Sequence, residues 1–254
     1  MKEHVLGVLA SGRGSDFQSI VDHVRLNVLQ NVKIGVLISN NSEAYALQRA
    51  RLNKIVDLYI EGITGKKSPT RETKEKEREI FDRKAVKALR DHEADIVALT
   101  GFTQILSPYF VQEYPMQIMN IHPAKNLQKY GGPGMFGHHV HEAVLKAREK
   151  ESGCTIHYVT NDVDGGPIVL QQTVAVKSSD TPEMLEQRIL IYEHRTYSKA
   201  IQLHVDGRLK VNEKSVKVDY SDDWLKRWEA RQKAYVGFQA KELLKQGKQI
   251  EEIL

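Results

Sequence analysis

Cysteine is almost absent from this chain of 254 residues, and its one thiol, Cys154, excludes an intrachain disulfide framework. A single cysteine fits a reducing cytoplasm, and its position directly before an apolar strand pattern at residues 155–159 predicts an inert, packed thiol. No apolar stretch approaches the ~20 residues that cross a bilayer, and residues 1–4 lack a signal-peptide pattern. We therefore expect a cytoplasmic protein with no membrane partner.

A strong charge of one sign is also missing. The 37 basic and 33 acidic residues leave a formal charge of +4, which is too small and too evenly mixed to indicate nucleic-acid binding. A modest positive charge can still attract an anionic small molecule. Hydrophobic residues make up 41% of the chain, enough for a buried core, and the length fits one large domain or one domain with an appendage.

What the chain does contain is an alternation of short apolar runs and helical patterns. The runs occur at residues 5–9, 32–38, 56–60, 96–100 and 118–121, and the helical patterns at residues 16–25, 44–52, 75–90 and 108–114. This alternation predicts an α/β fold with a Rossmann-like, mostly parallel sheet and helices on both faces. Because ligands of such sheets sit beyond the carboxyl ends of the strands, the loops after Leu9, Leu99 and Ile121 should share one rim.

The pattern changes after Gly153. Residues 155–159 and 168–176 flank a turn at Asp164 and predict an antiparallel pair, followed by a long helix from residue 182 to about 205. We place the main domain at residues 1–210 and a C-terminal helical extension at residues 211–254. Aromatic and aliphatic residues of the extension form a stripe that would pack on the domain or on a second subunit, which leaves a homodimer open.

Asn120 and His122 lie two residues apart at the end of an apolar run, and Asp164 follows His122 by 42 residues. Residues two apart on a strand face the same side, so the amide and the imidazole could converge on one substrate carbonyl. The amide can donate to an oxyanion, the imidazole can exchange a proton near neutral pH, and a carboxylate nearby would raise the pKa of that imidazole. The three are candidate catalytic residues, with a polar strand cap and an ordinary Asp-Gly-Gly turn as the alternatives.

A glycine-containing turn at residues 10–18 joins the first apolar run to the first helical pattern. A strand, a turn and a helix N-terminus together offer free N–H groups to an anion. The turn lacks the third glycine of the dinucleotide pattern, and no Gly-Lys-Ser/Thr follows it, so a phosphomonoester is the favoured ligand. The alternative is a plain strand–helix turn with Ser15 or Asp16 as the N-cap.

These motifs, in this order, resemble those of the folate-dependent formyltransferases, and most specifically the phosphoribosylglycinamide formyltransferases. The resemblance covers about residues 3–209, and its motifs lie at residues 10–18, 37–40, 101–107, 120–123, 157–166 and 193–194. It implies transfer of a formyl group from 10-formyltetrahydrofolate, a cosubstrate, to the amine of glycinamide ribonucleotide in de novo purine biosynthesis. The resemblance implies no metal.

The resemblance also assigns residues to roles. The catalytic residues would be Asn120, His122 and Asp164. The substrate-binding residues would be Gly14, Ser15 and Asp16 at the phosphate and Glu193 at the glycinamide end. The folate-binding residues would be Arg78, Thr103, Gln104, Ile105, Leu106 and Asn120, with the pterin recognised largely by the main chain of residues 103–106.

Two of these residues could instead have no contact with a ligand. Glu193 could be a solvent-facing helix residue. The charged segment of residues 64–84 is typical of a solvated loop and helix face. By charge alone, Arg78 cannot be distinguished from the other basic residues of this segment. His157 also matches a family position, but a buried histidine bonded to backbone is an equal expectation.

The chain departs from the family pattern in three places. Asp16 stands where asparagine is usual, and a carboxylate beside a phosphate is unfavourable unless it caps the helix. Thr103 and Gln104 stand where Met-Arg is common, so any contact from an arginine side chain is lost. The glycine-rich segment at residues 131–138 is several residues longer than the commonest form.

Three histidines follow this long segment, at His138, His139 and His141. His139 and His141 would face one way on a strand, which raises the question of a metal. No cysteine or carboxylate at ligand spacing accompanies them, and formyl transfer needs no metal. We expect a glycine-rich flap over the substrate instead, with His139 and His141 matching the family's His-x-His.

Other functions stay open at this point. The same chemistry could serve formyltetrahydrofolate hydrolysis, or formylation of an aminosugar or an aminoacyl-tRNA. The hydrolase usually carries an N-terminal regulatory domain and the tRNA enzyme a C-terminal barrel. We expect neither here, because the first strand begins by His4 and 45 residues follow Leu209. A catalytically silent nucleotide-binding α/β module is the remaining alternative.

Overall fold

The computed structural model describes residues 2–62, 70–212 and 215–245. One sheet holds β1 (His4–Leu9), β2 (Val32–Ser39), β3 (Val56–Tyr59), β4 (Ile96–Leu99), β5 (Ile118–His122), β6 (Glu151–Tyr158) and β7 (Ile168–Ala175). The helices are α1 (Ser15–Arg25), α2 (Tyr45–Leu52), α3 (Arg71–Asp91), α4 (Pro108–Glu113), α5 (Leu127–Tyr130), α6 (His138–Lys146), α7 (Pro182–Val205) and α8 (Asp222–Lys245). A small hairpin pairs β8 (Leu209–Val211) with β9 (Val216–Val218).

The large sheet runs in the order β3-β2-β1-β4-β5-β6-β7. Strands β1 to β5 pair in parallel, and β6 and β7 add an antiparallel edge. All four residues of β4 are buried, because helices cover both faces of this parallel strand. Its sequence is therefore apolar throughout and does not alternate between polar and apolar residues. The predicted α/β fold and the antiparallel pair are confirmed.

Helices cover both faces of the sheet, as predicted. Val8 of β1 belongs to a core cluster with Phe17 of α1 and Leu185 of α7, whereas the adjacent Leu9 packs in a second cluster with Phe81 of α3. Neighbouring residues of a strand point to opposite faces, so one strand contributes to two cores.

Some element bounds differ from the predicted ones. Helix α3 begins at residue 71 rather than 75, because Thr70 caps it by accepting a hydrogen bond from the Thr73 amide at 3.2 Å. Strand β6 begins at residue 151, so Cys154 lies inside the strand rather than before it. The thiol is buried as expected, and burial raises its pKa. Of the charged segment at residues 64–84, residues 64–69 lie outside the described residues.

The C-terminal extension packs on its own domain. Trp224 and Trp228 of α8 are buried in a cluster with Val28 and Leu203, and the Trp224 indole N–H donates to Asp206 Oδ2 at 2.6 Å. The predicted helix is confirmed; residues 213–214 and 246–254 of the extension lie outside the described residues. The domain boundary at residue 210, a homodimer and a cytoplasmic location stay predictions. No described helix is both long and apolar enough to span a membrane.

Candidate active site

A cavity of about 360 Å³ opens beyond the carboxyl ends of β1, β4 and β5. The strand order reverses at β1, and such a switch point is where α/β sheets bind ligands. Of the predicted site residues, those that line the cavity are Gly14, Ser15, Asp16, Thr103, Gln104, Ile105, Leu106, Asn120, His122, Asp164 and Glu193. The predicted common rim is confirmed.

Ser11 holds three loops of this rim together. Its hydroxyl donates to Asn40 Oδ1 at 2.7 Å and accepts from the Thr103 amide at 2.9 Å, and its own amide donates to the Gly101 carbonyl at 3.2 Å. The loops after β1, β2 and β4 are thereby fixed relative to one another. Nothing in the sequence singles out this serine, because its partners lie 29 and 92 residues away.

Asp164 lies at the centre of the predicted catalytic group. Its Oδ1 lies 3.4 Å from the Asn120 amide nitrogen and 3.4 Å from His157 Nε2, and its Oδ2 lies 3.6 Å from His122 Nδ1. The structure therefore brings Asn120, His122 and Asp164 together, and it adds His157 from the neighbouring strand, where it pairs in register with Asn120.

The Asp164 carboxyl is held in its charged form. Burial pushes its pKa up, but the adjacent His157 and His122 rings and the hydrogen bond from the Gly132 amide outweigh burial and bring the pKa below its ordinary value. Gly132 contributes a short main-chain bond, with its amide donating to Asp164 Oδ2 at 2.8 Å. The long glycine-rich segment is thus anchored on the central carboxylate.

His122 is buried and neutral rather than charged. Burial lowers its pKa, and the opposing effects of Asp164 and of the Tyr130 carbonyl do not reverse the shift. The expected upward contribution from Asp164 is present, but the predicted net rise is wrong because desolvation is larger. His122 Nε2 lies 2.6 Å from the Tyr130 carbonyl, so this nitrogen carries the hydrogen and Nδ1 holds the lone pair.

His157 is bonded to backbone and also faces the cavity, and a part in catalysis stays a prediction. Its Nδ1 donates to the Tyr158 carbonyl at 3.0 Å, as a buried histidine bonded to backbone would. Its Nε2 lies 3.2 Å from the Asn120 amide nitrogen and faces Asp164, so the ring also belongs to the site.

The glycine turn at the start of α1 leaves the helix N-terminus uncapped by any side chain. Gly14 is the N-cap, with a left-handed φ of 68°, and a Cβ there would meet Ala46 Cβ at 2.7 Å. Ser15 or Asp16 as N-cap is therefore wrong. The main-chain amides of the first turn are left for a ligand, which is the geometry of an anion site.

Asp16, whose side chain is 12% exposed, and the buried Glu193 interact electrostatically beside this turn. Glu193 is 7% exposed, which overturns the solvent-facing alternative. Burial raises the pKa of Asp16 to about 7, and burial together with the Asp16 charge raises the pKa of Glu193. His194 Nε2 lies 3.8 Å from Asp16 Oδ1, and burial lowers the pKa of this imidazole to about 3.

The predicted folate segment lines the other side of the cavity. Residues 103–106 all contribute, and Leu106 is buried there. Arg78 does not line the cavity. It lies on α3 near Asp82: burial raises the pKa of Asp82 to about 6, and the Arg78 charge opposes that rise. Asp82 accepts a hydrogen bond from the Ser107 amide at 2.5 Å. A contact between Arg78 and folate stays a prediction.

The histidines after the glycine-rich segment lie on helix α6, not on a strand. The predicted common orientation of His139 and His141 is therefore wrong: the side chain of His139 is 65% exposed, whereas His141 is buried and lines the cavity. Burial lowers the pKa of His141 to about 4. Across residues 2–62, 70–212 and 215–245, no group of three or more His, Cys, Asp or Glu is arranged to hold a metal ion.

The sequence and the fold are both similar to those of known proteins. Residues 5–201 match the formyl transferase family. The chain is 34% identical over 212 residues to phosphoribosylglycinamide formyltransferase of Escherichia coli, covering 84% of this chain and 92% of that one. It is 34% identical over 211 residues to the chloroplastic phosphoribosylglycinamide formyltransferase of Arabidopsis thaliana, covering 83% and 68%. The crystal structure of glycinamide ribonucleotide transformylase 1 from Symbiobacterium toebii superimposes with a TM-score of 0.74 at 33% identity, covering 85% and 94%.

Proposed function

The chain belongs to the formyl transferase family, and from this premise we propose that it transfers a formyl group from 10-formyltetrahydrofolate to the amine of glycinamide ribonucleotide, in purine biosynthesis. The observation that carries the proposal is the composition of one cavity. An uncapped helix N-terminus, an amide–imidazole–carboxylate group and the folate segment at residues 103–106 all line it.

The chemistry follows from the hydrogen bonds. The amine nitrogen attacks the formyl carbon, and the carbonyl oxygen becomes an oxyanion that the Asn120 amide can stabilise. His122 Nδ1, which holds a lone pair, accepts the proton that the amine loses. As the bond from the formyl carbon to the folate nitrogen breaks, the same proton passes to that nitrogen.

Asp164 acts on the charged intermediate state of His122. An imidazolium between the Tyr130 carbonyl and the ionised Asp164 has an acceptor on each nitrogen. Because Asp164 is already ionised, it stabilises this cation without giving up a proton itself. The neutral His122 can therefore accept the proton from the amine, and Asp164 stabilises the resulting imidazolium until the proton passes to the folate nitrogen.

The two ends of the cavity suit the two substrates. The phosphate of glycinamide ribonucleotide would lie against the first-turn amides of α1, at Gly14 and Ser15, with Glu193 toward the glycinamide group. The folate would lie against residues 103–106.

A folate absorbance assay tests the proposal. Wild-type protein is mixed with 10-formyltetrahydrofolate and either glycinamide ribonucleotide, the matching riboside without phosphate, or no acceptor. We expect rapid deformylation only with the ribonucleotide, and slower reaction with the riboside because the anion site is empty. Equal deformylation without any acceptor would indicate hydrolysis and contradict the proposal.

A further inference from the structure

A buried chain of hydrogen bonds joins the C-terminal helix α8 to the substrate site. Tyr235 is 3% exposed, and its ring stacks on His23 with centroids 3.6 Å apart. Its hydroxyl donates to Ser19 Oγ at 3.0 Å, and Ser19 in turn donates to the His194 carbonyl at 3.3 Å. The Tyr235 oxygen also lies 3.3 Å from His194 Nδ1.

These contacts fix the tautomer of His194. The single hydroxyl hydrogen of Tyr235 is used toward Ser19, so the Tyr235 oxygen accepts from His194 Nδ1–H. A neutral imidazole with its hydrogen on Nδ1 has a lone pair on Nε2. The pKa of His194 is lowered by burial, which keeps the ring neutral.

The lone pair of His194 Nε2 faces Asp16 Oδ1 across 3.8 Å. Both atoms are buried, and neither has a hydrogen-bond partner in the described part of the chain. An ionised carboxylate would set two lone pairs against each other, as at Asp164 and His122, but Asp164 receives the Gly132 and Asn120 amides and Asp16 Oδ1 has no such donor among the described residues. A proton on Asp16 makes its contact with His194 favourable. The separation is longer than a hydrogen bond, but a small shift of either side chain would let one proton on Asp16 satisfy both buried atoms.

The acidic groups around Asp16 favour the same state. Glu193 and Tyr197 of α7 and Cys154 of β6 interact electrostatically with Asp16, and each would add negative charge or none. The cations Arg49 of α2 and Arg195 of α7 act on His194, where they disfavour the imidazolium. From α1 and α8, His23 and Tyr235 complete the surroundings, and burial raises the pKa of Asp16.

We propose that His194 and Tyr235 hold Asp16 in its acid form, so that the phosphate end of the cavity carries no opposing carboxylate. Tyr235 is then a positioning residue contributed by the C-terminal extension, and the neutral Asp16 leaves the first-turn amides of α1 able to bind a phosphate. This inference rests on the proposed function, because it assumes that the phosphate of glycinamide ribonucleotide lies at α1.

The test is the pH dependence of glycinamide ribonucleotide binding, measured by calorimetry on the full chain at pH 6.5 and pH 8.5. The readout is the Kd at pH 8.5 divided by the Kd at pH 6.5, for wild type and for Asp16→Asn. The substrate's own ionisation affects both proteins equally, and an asparagine cannot ionise. We expect the ratio to be at least ~10-fold larger for wild type, since only the acid form of Asp16 is competent to bind.

Tyr235→Phe tests the connection to α8. Without the hydroxyl, His194 is free to carry its hydrogen on Nε2, which favours ionised Asp16. We expect Tyr235→Phe to weaken binding at pH 7.5 by several-fold, and to have no effect in an Asp16→Asn background. A merely structural role for Tyr235 would weaken binding in both backgrounds.

Two matched variants serve as controls. Asp22→Asn changes another carboxyl of α1, and Tyr220→Phe changes another tyrosine of the extension, outside the Asp16 cluster. Both should keep the wild-type ratio. Equal ratios for wild type and Asp16→Asn, with binding intact, would overturn the inference alone. Absence of binding at both pH values would overturn the proposed substrate, and the inference with it.

Discussion

Two aspartate–histidine pairs lie at one cavity, and the pKa of the carboxyl is lowered in one pair and raised in the other. In the first, Asp164 faces His122 Nδ1 at 3.6 Å; in the second, Asp16 faces His194 Nε2 at 3.8 Å. The pKa of Asp164 is lowered and that of Asp16 is raised to about 7. The difference lies in the donors, since Asp164 receives the Gly132 amide and the Asn120 amide, whereas Asp16 Oδ1 receives no hydrogen bond from any described residue.

Hydrogen-bond donors oppose the effect of burial at Asp164, and Asp16 Oδ1 has no such donor among the described residues, so the two carboxyls differ in charge state. Desolvation raises the pKa of both carboxyls, and only the carboxyl with enough N–H groups stays ionised. Each state suits its position. An anion beside His122 stabilises an imidazolium during proton transfer, and a neutral acid beside α1 avoids repelling a phosphate.

The largest expected effect comes from changing Asp164, the ionised carboxyl, or His122 beside it. Asp164→Asn and His122→Ala should each lower turnover by ~10²- to 10⁴-fold, because they remove proton-transfer capacity rather than packing. The measurement is kcat at saturating substrates, with circular dichroism to confirm the fold. The control is His92→Ala, which changes the histidine at the C-terminal end of α3. Wild-type turnover in either site variant would exclude the assigned role.

Asn120→Ala should have the next largest effect. Loss of one oxyanion donor should cost ~3 kcal/mol of transition-state stabilisation, or roughly 10²-fold in kcat. The variant also removes a donor from Asp164, so the pKa of that carboxyl should rise. An unchanged kcat would remove Asn120 from the oxyanion site.

A new charge at the phosphate end should act on one substrate only. Ser15→Asp sets a carboxylate against the first turn of α1, and should raise the KM for glycinamide ribonucleotide ~10-fold or more while the KM for folate changes little. Ser178→Asp, in an exposed turn, adds the same charge elsewhere. Equal changes in both KM values would mean that the glycine turn is structural.

The smallest effect, on stability, has opposite signs in the two clusters. The folded pKa of Asp16 lies above its unfolded value of 3.8, so wild type loses stability as pH rises from 3.8 to about 7, and Asp16→Asn should raise Tm at pH 8. The folded pKa of Asp164 lies below 3.8, so its ionised form contributes stability above that pH, and Asp164→Asn should lower Tm there. Changes of a few degrees, on the order of 1 kcal/mol, are expected by thermal unfolding. Shifts of the same sign would contradict the comparison.

Much of the fold could be predicted from the sequence because parallel strands covered on both faces leave uninterrupted apolar runs. The five runs between residues 5 and 121 are the five parallel strands, within one or two residues. Convergence of Asn120, His122 and Asp164 was predictable too, since two lie at the end of one strand and the resemblance supplies the third. Their catalytic roles stay predictions.

What could not be predicted depends on tertiary packing. The stretch before His139 is rich in glycine, and the N-cap of α6 is Gly137, which has no side chain to cap the helix, so no start signal marked it. The net pKa of His122 depends on burial that one strand cannot reveal. Tyr235 lies 41 residues from His194 and in no recognisable motif, so only the packing of α8 shows its contact with the site.

The most direct test of the different charge states of the two carboxyls is a carboxyl NMR titration. Wild-type protein labelled with ¹³C at aspartate side-chain carboxyls would be titrated from acid to pH 9, with Asp16→Asn and Asp164→Asn assigning the two resonances. The structure predicts that the Asp164 resonance titrates below 3.8 and the Asp16 resonance near 7. Two resonances that titrate together near 4, or in the reverse order, would contradict it.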